Sequence, residues 1–190
     1  MPLSRQLAFS GLMMLSLLTG PLHAATISGV SLEESIDVGN AQLRYNGAGI
    51  RKKLFIKLYV GSLYLTSPSS DAASVVDADE PMAIRLNILS DLLTRDKMVD
   101  ALDEGFSKST GGDTTAIQPQ IDQMLSFMQD KISPGDQYTL AYEPGVGTQL
   151  MRQGETLTVI EGLPFKQALF GIWLSGKPAQ ASLKSAMLNN

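Results

Sequence analysis

Asp96, Asp100, Asp103 and Glu104 put four carboxylates into one short stretch of the chain. Carboxylates so crowded could chelate calcium, or divide the acid and base roles of a hydrolytic site. All four are offset from Met98 and Leu102, however, and therefore read as the solvated face of an amphipathic helix. Asp77-Ala78-Asp79-Glu80 lacks the glycine and the distal glutamate of a calcium loop. Arg51, Lys52, Lys53 and Lys57 form a basic run, suited either to an anionic partner or membrane surface or simply to a soluble strand end. Asn46-Gly47-Ala48-Gly49 opens like a dinucleotide fingerprint, but Lys52 stands where the third glycine belongs and a strand follows instead of a helix. A turn or bulge at a strand entrance is the expectation there.

Absent residues narrow the chemistry further. There is no cysteine, so disulfide scaffolds, thiolate metal sites and a cysteine nucleophile are excluded. The single histidine, His23, lies in what looks like a cleaved leader. A mature chain without imidazole has no Ser-His-Asp triad and no histidine base, which leaves acid–base work to carboxylates, Tyr, Lys or water. The net charge of −4 over 190 residues gives no cationic surface of the kind nucleic acid requires. No metal site and no cofactor is expected, the nine methionines being read as core filler.

Residues 1–24 carry a positive start at Arg5, an apolar run from Leu7 to Leu18, the breakers Gly20-Pro21 and small residues at Ala24-Ala25. That is the pattern of a secretory signal cut after Ala24, and the run is too short to span a bilayer. The product is expected in the periplasm or outside the cell, with no transmembrane segment. Residues 25–190 show one composition throughout and read as a single domain.

The elements that must position these groups follow from periodicity. Ser28–Asp37 and Ala41–Asn46 read as short strands, and Arg51–Leu65 as a long one, with period-two alternation and abundant aliphatic residues. A short helix through Ala72–Val76 precedes a strand over Pro81–Ile88. Thr94 looks like the cap of a helix carrying Met98, Ala101, Leu102, Gly105 and Phe106 on one stripe. A second helix near Pro119–Lys131 leads to three strands, Gln137–Tyr142, Thr148–Arg152 and Thr156–Glu161, turning at Gly145/Gly147 and Gly154. Phe165 to Trp173 recur at helical spacing, and Pro178 opens a last helix. The sum is an α+β fold, a mostly antiparallel sheet with helices packed on one face.

NGAGIRKKLFIKLYVGSLYL (residues 46–65) and FKQALFGIWLSGKPAQASLK (residues 165–184) together resemble the bacterial chalcone isomerase-like family. The resemblance implies an open-faced β-sandwich, with a large antiparallel sheet, helices on one face, a small sheet on the other and a ligand cleft between sheet and helices. In the plant enzymes of this superfamily an Arg, a Thr, a Tyr, an Asn and a Ser/Thr serve an oxa-Michael ring closure. Carried onto this chain, those positions fall on Asn46, Leu58, Thr94, Ala101 and Ile172, none of which is the family residue. Losing even one donor to a developing enolate typically raises the barrier by about 2.7–4 kcal/mol.

The resemblance therefore implies a non-catalytic binder of a small hydrophobic or amphipathic molecule, an acyl chain such as a fatty acid being the leading candidate. Leu58, Ala101, Ile172 and Trp173 would line its cleft, and Arg44, Arg51 or Tyr59 would meet the head group. The alternative is an intramolecular lyase with relocated catalytic groups, which a guanidinium and a hydroxyl converging in the cleft would favour.

Overall fold

The computed structural model describes residues 23–128 and 131–190. The expected leader falls almost wholly outside the described residues. Strands β1 (His23–Ile27) and β2 (Val30–Glu33) pair as a separate two-stranded ribbon. Strands β3 (Ser35–Val38), β4 (Ala41–Lys53), β5 (Ile56–Leu65), β6 (Met82–Ile88), β7 (Gln137–Glu143), β8 (Gly147–Arg152) and β9 (Glu155–Ile160) form one antiparallel sheet. Its spatial order is its chain order, a pure meander. Helix α1 (Ala72–Asp77) follows β5, while α2 (Arg95–Ser109) and α3 (Gln118–Ser126) lie between β6 and β7. Helices α4 (Leu163–Leu174) and α5 (Ala181–Met187) close the chain.

Alternation decides which side each strand residue serves. Leu63, Leu65, Ile84, Leu86, Ile88, Leu140 and Leu150 join Met98, Leu102, Phe106 and most of α4 in the main buried cluster between sheet and helices. Tyr64, Ala83 and Ala141 point to the opposite face, where they pack with Ile36, Val38 and Leu43. The β1–β2 ribbon lies against that second face, tied to it by Glu33, which accepts from Arg85 Nη1 at 2.6 Å. Arg85 in turn lies over the Tyr64 ring, 5.6 Å from its centroid. A large sheet with helices on one side and a small sheet on the other is the expected architecture.

Two local expectations need correction. The residues 51–65 are not one strand, because β4 ends at Lys53 and a two-residue turn, Leu54-Phe55, reverses the chain into β5. The turn flips the phase of the alternation, pairing Lys53 with Ile56, and the bulge at Leu58 flips it back, so the residues on either side read as one continuous period-two pattern. The last helix begins at Ala181 after the Gln180 cap, three residues beyond Pro178.

The Asn46-Gly47-Ala48-Gly49 stretch is a bulge within β4, and its glycines make room for α5. A Cβ on Gly47 would sit 2.3 Å from the Ala186 carbonyl oxygen, and one on Gly49 2.8 Å from the Ala186 Cβ. Asn46 completes the joint. Its Nδ2 donates to the carbonyls of Ser69 (2.9 Å) and Met187 (2.8 Å), and its Oδ1 accepts from the Ser69 amide (2.8 Å). Backbone lies on both sides of Gly47, so neither can yield cheaply. Gly47→Ala is expected to remove about 3 kcal/mol of stability. A lowered urea midpoint at unchanged slope is the measurement, and a midpoint equal to that of the unaltered chain would refute the close-approach account.

Candidate functional site

The turn at Leu54-Phe55 helps set the geometry of a polar cluster on the helix-facing side. The turn, together with a bulge at Leu58 that shifts the register between Lys52 and Arg51, places Arg51 of β4 opposite Tyr59 of β5, so their side chains share one face of the sheet. Tyr59 is buried, and its hydroxyl accepts a 3.0 Å hydrogen bond from Nε1 of Trp173 on α4. The Arg51 guanidinium lies beside the same hydroxyl. Burial pushes the Tyr59 phenol up from its ordinary value, while the Trp173 indole and the Arg51 charge pull the other way. At neutral pH Tyr59 is therefore a neutral phenol, fit to donate a proton in a hydrogen bond and unfit to act as a base.

Arg51 is itself positioned by the α5 cap. Its Nη1 donates to Gln180 Oε1 at 3.1 Å and to the Lys52 carbonyl at 2.7 Å. Gln180 also accepts from the Lys52 amide at 2.9 Å and donates to the Ile50 carbonyl at 3.1 Å, fastening α5 to the end of β4. A guanidinium offers five N–H donors, more than Lys52, Gln180 and Tyr59 absorb. Arg51, Tyr59 and Trp173 thus assemble two hydrogen-bond donors and an aromatic wall where an anionic oxygen would be held.

Beyond this cluster the same buried face is lined mainly by aliphatic side chains and methionines, with the Tyr138 ring among them. Ile88 pairs with Tyr59 across β5 and β6. Farther along, Leu86, Met98, Leu102, Met124, Met128 and Leu140 enclose a cavity of about 10 Å³ between the sheet and helices α2 and α3. That is room for about one water, so the apolar wall is packed in this conformation. Three of the side chains around it are methionines, whose unbranched, soft side chains rearrange more readily than branched ones.

The other sequence-derived candidates do not gather here. Arg44 is exposed and opens onto a separate groove of about 560 Å³, shared with Gln42, Tyr45, Glu34 and Pro68. Asn46 is the structural joint described above. Leu58 is partly buried at the rim of the core, and Ala101 is exposed on the outer face of α2. Thr94 is the α2 cap, its Oγ1 accepting from the Lys97 amide at 3.4 Å. Ile172 is buried and fills the space left by Gly105, where a Cβ would lie 2.7 Å from its Cγ2. Of the nine candidates, Arg51, Tyr59 and Trp173 come together. Gln180, which orients Arg51, carried no sequence signal, since its role depends on a contact between distant parts of the chain. Among the described residues no three His, Cys, Asp or Glu side chains cluster to hold a metal ion, and no helix is long and apolar enough to cross a membrane.

Comparison with known proteins bears on this arrangement at two levels. Among solved structures, the crystal structure of an Arabidopsis thaliana fatty-acid binding protein is similar, with a TM-score of 0.69 at 17% sequence identity. The likeness covers 87% of this chain and 96% of that one. No curated protein matches the chain. At the level of sequence, a family model described as chalcone isomerase-like matches residues 24–189. With that match running over nearly all of the sheet and helices described above, the chain belongs to the chalcone isomerase-like family.

Proposed function

We propose that the chain is a non-catalytic carrier of a fatty acid or a similar single-chain amphipath, exported by residues 1–24 to the periplasm or beyond. The observation that supports this reading over catalysis is the mainly apolar, side-chain-filled layer that runs from Arg51, Tyr59 and Trp173 between the sheet and the helices. A carboxylate would accept from the guanidinium and from the phenol, both pre-aimed, and its alkyl tail would run along the apolar face toward Met98, Met124 and Met128. Because the cavity there is closed to about 10 Å³, entry of the tail would displace those methionines and part α2 from the sheet. That the Arabidopsis neighbour is a fatty-acid binding protein agrees with this reading, although at 17% identity the likeness extends to fold alone.

The same Arg51–Tyr59 pair favours a second reading, an intramolecular lyase with relocated groups, since a guanidinium and a phenol could also hold an enolate oxygen. The carrier is preferred because the layer beyond the pair is filled with side chains, whereas ring closure needs a pre-shaped hollow of substrate size. Native mass spectrometry of the purified chain, before and after addition of palmitate, decides between them. One acyl chain bound per protein, with no turnover of a chalcone, is the expected result. Stereospecific cyclisation lost on Tyr59→Phe would establish the lyase instead, and neither mass shift nor turnover would overturn both.

A further inference from the structure

The β4–β5 turn carries a surface feature that the ligand reading does not use. Leu54 is 82% exposed and Phe55 95% exposed, and Ile56 beside them is also exposed. Two-residue hairpin turns favour Asn-Gly or Gly-rich pairs, because one or both turn residues take positive φ. Leu54 does so here at φ +55, a conformation costly for a side chain branched at its γ carbon and far easier for glycine. Neither folding stability nor solubility favours Leu-Phe at this tip.

The surroundings of the tip are electrostatically one-sided. No acidic residue occurs between Val38 and Ser70, while Arg51, Lys52, Lys53 and Lys57 flank the turn on both strands. Lys52 faces Lys57 across the ladder, and Lys53 faces Ile56. Beyond Leu58 the hairpin pairs only with itself, since β5 meets β6 from Tyr59 onward and β3 meets β4 only as far as Arg44. Besides Gln180, which accepts from Arg51 and from the Lys52 amide, two groups from other elements approach it. Ser28 accepts from Lys57 Nζ at 3.2 Å, and Glu104 of α2 feels Arg51 and Lys53 while being paired with Lys108 at 2.5 Å. The remainder of the chain is acidic enough to leave a net charge of −4.

We infer that this tip is a membrane-docking finger, which inserts Leu54 and Phe55 into the headgroup–acyl boundary of an anionic bilayer while Lys52, Lys53 and Lys57 meet lipid phosphates. Exposed aromatic and aliphatic side chains ringed by lysines have the composition of interfacial anchors. Each lysine near an anionic surface adds attraction that salt screens. The net negative charge elsewhere orients the molecule, because only this end is drawn to such a surface. The inference stands on the exposed tip and its charges, independently of whether the buried layer carries an acyl chain.

Vesicles of phosphatidylcholine, with and without about one-third phosphatidylglycerol, provide the test. A retained leader would itself partition into lipid, so insertion is read at the tip, using Phe55→Trp and a quencher attached to the lipid acyl chains. Trp173 is the only native tryptophan and is buried, so the unaltered chain sets the baseline. Docking predicts quenching of the tip tryptophan on phosphatidylglycerol vesicles only, lost at high salt. It also predicts a partition coefficient at least tenfold lower for Phe55→Ser and for Lys53→Glu/Lys57→Glu, with unchanged melting and unchanged palmitate occupancy. An unquenched tip tryptophan, or variants that partition like the parent, would overturn it. So would a lipid-independent dimer in sedimentation that Phe55→Ser dissolves, because the tip would then be a protein interface.

Discussion

Replacing Lys166 by methionine is expected to lower the melting temperature by about 10 °C, although the residue touches nothing in the candidate site. Lys166 of α4 is fully buried, and its Nζ donates to the carbonyls of Val75 (3.0 Å), Val76 (2.8 Å) and Ala78 (2.7 Å). These oxygens lie at the C-terminal end of α1, where the helix leaves carbonyls without intrahelical donors and presents its negative pole. An ammonium has three N–H donors, and three acceptors are supplied. The rings of Tyr142 and Phe170 wall the charge in, each centroid 5.6 Å away. Methionine keeps much of the volume and leaves three carbonyls, one buried and two partly buried, without their donor, a loss of about 3–5 kcal/mol. A chain of this size loses about 2–4 °C per kcal/mol. A variant melting within about 2 °C of the parent would show that the ammonium is not what holds α1 to α4.

The same lysine makes stability depend on pH in an unusual direction. Burial holds its pKa down to about 8, against the upward pull of Asp79, Asp77 and Glu80. Below about 8 the lysine is protonated in both folded and unfolded chains, and the penalty for burying the charge is present in full. Between about 8 and the ordinary 10.5, the unfolded chain holds a proton the fold has released, so this group's contribution to stability rises with pH. Lys166→Met removes that slope. The gap between the two unfolding free energies should therefore widen from pH 7.5 to pH 10 in denaturant titrations.

How far the sequence disclosed this molecule depends on the range of the interactions involved. The meander from Gln137 to Ile160 was legible because alternation and turn glycines are local signals, and the helix from Arg95 because a threonine cap and an apolar stripe are too. The joint at Gly47 was half legible. Its unsuitability for phosphate and its bulge could be argued from the residues, but the helix passing over it belongs to a segment some 140 residues away, beyond any local pattern. The site suffered most from one missed turn. Treating Arg51 and Tyr59 as members of a single strand separates them along its length, while the emphasis on Asn46 and Leu58 comes from carrying the family's positions onto the chain. A reversal at Leu54-Phe55 and a bulge at Leu58 make them cross-strand partners, and no glycine, asparagine or proline marks either. Of the substituted positions only Ile172 is buried in the layer between sheet and helices, and a guanidinium and a phenol stand at one end of that layer.

Arg51→Met is expected to weaken fatty-acid binding by about a hundredfold, and the chemistry of the pair sets both that size and its controls. Hydrogen bonds to a charged group contribute about 1.5–3 kcal/mol each, and about 1.4 kcal/mol corresponds to a factor of ten in affinity. Tyr59→Phe removes one neutral donor and leaves the Trp173 N–H without its acceptor, so about a tenfold loss is expected there. The two residues sit against each other, hence the double variant should fall short of the product of the single effects. Arg51→Lys keeps the charge but loses the planar fork that also engages Gln180, which places it between parent and Arg51→Met. Two comparisons tie the loss to a carboxylate in this location. A fatty alcohol of equal chain length should bind parent and Arg51→Met alike, because it brings no negative charge to the guanidinium. Arg44→Met should leave palmitate affinity unchanged, since Arg44 opens onto a different groove. If titration calorimetry instead finds Arg51→Met neutral and Arg44→Met damaging, the head group lies in that outer groove and the Tyr59–Trp173 bond is core structure alone.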